Sequence, residues 1–109
     1  MALTHANPGQ LIDLIPLADG KTDSPSTSLI KTEQLQLLHM VMHAGQSLPE
    51  HQVAGELIVQ CLAGRVRLRT PGQQLPLSAG QLVLLRGGEK HAVEAELDSC
   101  LLLTLSLRH

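Results

Sequence analysis

From Ser28 onward, short apolar runs alternate with breaks marked by Gly45, Gly55, Gly64, Gly72, Gly80 and the pair Gly87 and Gly88. Short runs at such spacing predict an all-β sandwich or barrel. Strands are expected over residues 32–43, 56–62, 65–70, 74–77, 81–85, 91–96 and 99–107. Residues 32–43 also suit a helix, because Leu35, Leu38 and Met42 recur at helical spacing and leucine favours helices. Gly45 and Pro49 would end that helix early, and no capping box opens it, so a strand is the better assignment.

Arg65, Arg67 and Arg69 alternate with Val66 and Leu68, which places the cations on one face of a strand as a solvated surface. Leu101, Leu103, Leu105 and Leu107 make one face of the last strand apolar, with Thr104 and Ser106 on the other. Ahead of this region the pattern is irregular. Leu11, Ile12, Leu14 and Ile15 predict an arm or an edge strand, since Pro16 withholds a ladder donor. Residues 19–26, with Gly20 and Pro25, predict a loop. The chain therefore divides into an arm and loop over residues 1–31 and a barrel over residues 32–109.

Composition narrows the functions open to such a barrel. The 109 residues support one domain, and the 23 leucines replace aromatic side chains, of which there are none. Stacking platforms for bases and aromatic cages for quaternary amines are thereby excluded. A net charge of −2 leaves no footprint for nucleic acid or an anionic membrane. No apolar run approaches a membrane span and residues 1–10 lack a signal pattern, which predicts a soluble cytoplasmic protein. Cys61 and Cys100 are too few for a disulfide framework and are expected as buried thiols.

Chemistry has to come from the six histidines. His5 and His109 lie in terminal segments. His39 and His43 share a face in either conformation, but no acidic partner accompanies them, so they are expected at the surface or an interface. His51 and His91 are more informative because of the glycines around them. Gly45, His51 and Gly64 are followed by Gly80, Gly88 and His91 at the spacing of the two cupin motifs. The chain here resembles the small single-domain cupins over about residues 40–105. Val53 stands at the position of the first motif's second histidine and Leu57 at that of its glutamate, with Glu56 one residue early. In the second motif Arg86 replaces the proline and Ala95 the asparagine.

The resemblance implies a cupin-type jelly-roll barrel, a homodimer, and a divalent transition metal such as Fe, Mn, Ni, Cu or Zn held by His51 and His91. Glu56 joins them if a bulge at Ala54 and Gly55 turns it inward. Alternation from an inward His51 puts Val53, Leu57, Val59 and Cys61 on the barrel lining, and Gln60 there only if Glu56 turns inward too. Three functions stay open. One is a pocket in which His51 and His91 bind a small polar or acidic molecule; the second is a metal-dependent oxygenase or isomerase; the third is a dimeric interaction module.

Overall fold

The computed structural model describes residues 5–19 and 25–107. Alternating burial defines its strands. In β4 (Leu57–Ala63), Leu57, Val59 and Cys61 are buried while Ile58 faces outward. In β5 (Arg65–Thr70), Val66 and Leu68 are wholly buried and the three arginines point away. Period-two burial is the signature of a strand with one face on a core.

The other strands are β1 (Thr27–Lys31), β2 (Leu35–Met42), β3 (Ser47–His51), β6 (Gln73–Ser78), β7 (Leu82–Leu85), β8 (His91–Ala95) and β9 (Ser99–Ser106). They form a five-stranded sheet in the order β1-β2-β9-β4-β7 and a four-stranded sheet in the order β3-β8-β5-β6. Every pairing is antiparallel. The two inner faces enclose Met42, Val59, Cys61, Val66, Leu68, Val93 and Leu101. This is the all-β jelly roll expected from the sequence, and residues 35–42 are strand, not helix. No helix among the described residues is long and apolar enough to cross a membrane.

Three local results differ from expectation. Residues 11–15 form no strand: Leu17 and Ala18 donate to the Leu14 and Ile15 carbonyls, closing a short 3-10 turn at Pro16–Ala18. Proline suits the first position of such a turn, where no N–H is needed, and Leu11 and Ile15 are left exposed. Strands β1 and β3 were not anticipated. Both are edge strands, and β3 is polar and mostly exposed, so neither carries a clear alternation. Much of the loop expected at residues 19–26 lies outside the described residues, as does His109.

Two glycines fix how the sheets close. Gly64, between β4 and β5, has φ +82°, and a Cβ there would collide with the Asp98 carbonyl and the Ser99 hydroxyl. Gly55 has no positive φ; its role is closeness, since a Cβ would strike the Ser106 carbonyl of β9.

Two of the three β5 arginines are tied down: Glu96 lies 3.3 Å from Arg65 and 2.9 Å from Arg67. Cys61 and Cys100 are buried free thiols. Burial raises the Cys61 thiol above its ordinary range.

Candidate functional site

The site is built where β3 and β8 meet. Leu48 pairs with Val93 and His51 with His91, so β3 spends one more residue than β8 between the two pairs. Without that bulge, Leu48 and His51 would face opposite sides of the sheet, because they are an odd number of residues apart. With it, both reach the interior. Pro49 sits in the bulge on an edge strand, where a missing N–H is tolerated.

His91 is 3% exposed, whereas His51, on the edge, is open to solvent. The ring centroids are 4.2 Å apart at 61°, and the two Nε2 atoms approach to 3.1 Å. Each ring is also held from behind. His51 Nδ1 donates to the Pro49 carbonyl at 3.0 Å, and His91 Nδ1 to the Glu89 carbonyl at 3.2 Å. Burial pushes the His91 imidazole below the usual histidine range; the Glu89 carbonyl bond opposes this and the nearby His51 charge adds to it.

Behind the pair lies a cavity of about 110 Å³ between the sheets. Val53, Leu57 and Val59 line it from the β4 side, and Leu48 and Val93 from the four-stranded sheet. Leu38 and Met40 of β2 and Leu101, Leu103 and Leu105 of β9 complete the wall. His51 and His91 are the polar residues of the lining. Larger hollows exist beside the N-terminal arm, at about 400 Å³ around Leu11 and Ser28, and near Pro71 and Arg86, at about 520 Å³. Both are more open to solvent than the space between the sheets.

The remaining predicted site residues are placed elsewhere. Glu56 is exposed, and its carbonyl accepts from the Ser106 amide. Gln60 is half-buried on the outward side of β4. Cys61 shares the inward face with Val59 but packs in the core beyond the cavity, its thiol donating to the Ala63 carbonyl at 3.3 Å. His39 is buried outside the barrel wall, where its Nε2 donates to the Leu17 carbonyl at 3.1 Å, and His43 is exposed. Beyond the two histidines, Leu38 and Met40 of β2, Leu48 of β3, Val93 of β8 and Leu101, Leu103 and Leu105 of β9 line the cavity without having been among the expected lining residues. The alternation of Leu101, Leu103 and Leu105 was the available signal for the last group.

A two-sheet antiparallel jelly roll with paired histidines at the mouth of an internal cavity defines a small cupin. More specifically, the chain belongs to the AraC-like ligand-binding domain family, whose pattern matches residues 32–108. Its fold is similar to that of a conserved protein of unknown function from Streptococcus pyogenes (TM-score 0.80, 19% identity, covering 100% of this chain and 99% of that one). It is also similar to a cupin superfamily protein from Desulfitobacterium hafniense (0.80, 16% identity, 99% and 100% covered). The DMSP lyase DddQ of Ruegeria pomeroyi shares the fold over 75% of this chain and 46% of its own (0.70, 24% identity). No curated protein matches the sequence.

Cupins often hold a metal, which needs more donors than one histidine pair. Catalytic zinc takes about three protein ligands, and the iron facial triad two histidines plus a carboxylate. Among the described residues no group of three or more His, Cys, Asp or Glu is positioned to share an ion. Val53 and Leu57 turn methyl groups toward the space that further ligands would need. The residues present do not fit a catalytic metal.

Proposed function

We propose that this domain binds a small molecule between its sheets, with an apolar body against the leucine and valine wall and one polar group at His51 and His91. The observation that carries the reading is the internal cavity of about 110 Å³ whose polar lining is that histidine pair. Ligand sites are mostly apolar with a few convergent polar groups, and this cavity has that composition on a small scale. Engineered cavities of about 150 Å³ accept benzene, so a ligand of about four to six heavy atoms fits this volume. Family membership supports the same reading, as the AraC-like model describes a ligand-binding domain. The binding unit is the barrel, to which β1 (Thr27–Lys31) adds an edge strand ahead of residue 32.

Titration with small branched alcohols, followed by backbone amide NMR, tests the proposal. Saturable shifts at Val59, Val93 and Leu103 are expected, and Val53→Phe, which fills the mouth, abolishes them. Shifts confined to the outer faces, or none at any solubility-limited concentration, would refute it.

We further propose a homodimer. Ile58 pairs with Leu84 at the free edge of the five-stranded sheet, next to Leu82, and all three are exposed. Light scattering should give twice the chain mass for the wild type and the single mass for Leu84→Lys. A monomeric wild type would overturn the assembly without touching the cavity.

A further inference from the structure

We infer that the polar group held by His51 and His91 is a neutral hydrogen-bond donor, a hydroxyl or an amide N–H, and that the site turns away carboxylates. The inference rests on the binding proposal and names its ligand class.

Two backbone carbonyls fix which ring nitrogens carry hydrogen. A carbonyl oxygen can only accept, so the bonds to Pro49 and Glu89 put a hydrogen on Nδ1 of both rings. A neutral imidazole carries one N–H. In their neutral forms both rings therefore present a bare lone pair at Nε2, and these lone pairs face one another across 3.1 Å. That separation is a hydrogen-bond distance with no hydrogen to fill it. A single O–H or N–H placed at the pair satisfies both acceptors.

The surroundings decide which donors suit. A carboxylate brings further lone pairs against two acceptors, and the side-chain N–H groups of the lining, at Nδ1 of the two rings, are already spent on the Pro49 and Glu89 carbonyls. An alkylammonium supplies donors, but no acidic side chain lines the cavity to balance its charge, and burying an unpaired charge is costly. A neutral alcohol or primary amide avoids both penalties. The apolar wall and the small volume then favour a short branched carbon body.

The test compares five probes of one shape on the full chain near neutral pH: isobutanol, isobutyramide, isobutyrate, isobutylamine and methyl isopropyl ether. Long-range nitrogen–proton NMR should first show Nδ1–H tautomers at both His51 and His91 in the free protein; an Nε2–H tautomer at either refutes the inference. Isobutanol or isobutyramide should bind about five- to tenfold more tightly than the ether, as one neutral hydrogen bond allows. Both Nε2 resonances should move on binding. His51→Phe, at the exposed strand edge, should erase the preference over the ether while the amide spectrum stays dispersed. Tighter binding of isobutyrate, isobutylamine or the ether overturns the donor assignment and leaves the pocket standing. Failure of all five to bind removes the pocket itself.

Discussion

Shortening Val59 tests whether the wall of the cavity is packed as tightly as its burial indicates. Val59 is 1% exposed in the middle of β4, between Leu103 of β9 and Val83 of β7. Val59→Ala removes two methyl-sized groups, about 1.6 kcal/mol of lost burial at ~0.8 kcal/mol each. The void left, on the order of 50 Å³, adds about 1.2 kcal/mol at ~24 cal/mol per Å³. The expected loss is thus about 3 kcal/mol, a sizeable share of the roughly 5–15 kcal/mol that holds a domain together. Urea unfolding followed by circular dichroism should show a lower midpoint at unchanged slope, and Tm should fall by roughly 10–20 °C. The new space joins the existing cavity, so a ligand one or two carbons larger than the best wild-type ligand should recover part of the loss. A cost below about 1 kcal/mol, with no larger ligand accepted, would show that the wall collapses and that the cavity is not a rigid container.

Further outcomes follow from the same geometry. Gly64→Ala forces a side chain into both a left-handed backbone and the Asp98 carbonyl; a loss of at least about 2 kcal/mol is expected, read as insoluble expression or a sharply lowered unfolding midpoint, and near-wild-type stability would contradict that packing. For His91, whose native protonation is disfavoured by burial, the unfolded chain binds the proton more readily. Stability should hold above the ordinary value of 6.5 and decline as pH falls below it, and His91→Gln should flatten that decline in acid unfolding curves. Elemental analysis after reloading with Fe, Mn, Ni, Cu or Zn should find less than one equivalent. Stoichiometric metal lost in both His51→Ala and His91→Ala would overturn the judgement that two imidazoles do not suffice.

The barrel was legible because its evidence is local. Gly45, Gly64, Gly80 and Gly88 stand at motif spacing, and all four adopt positive φ, so the motif records backbone geometry directly. Strands β4 and β5 announce themselves by alternation. The apolar run at residues 11–15 imitated a strand because composition alone does not say whether a neighbouring strand is within reach. The site was only half legible. His51 and His91 follow from the motif, but their facing arrangement depends on one extra residue between Leu48 and His51. Alternation placed Val59 and Cys61 on one face, yet it gives direction without depth, and depth separates a lining residue from a core residue. Glu56 needed a backbone re-aiming that Gly55 does not supply, since Gly55 is occupied in letting β4 approach β9.

Pro49 has a consequence beyond orienting His51. It lies on an outer strand of the four-stranded sheet, the kind of border that invites foreign strands to stack and grow into fibrils. Its missing N–H, together with the bulge beside it, breaks the row of donors that an intruding strand would need. The histidine mouth of the cavity thereby lies on a border that polypeptide cannot easily zip shut.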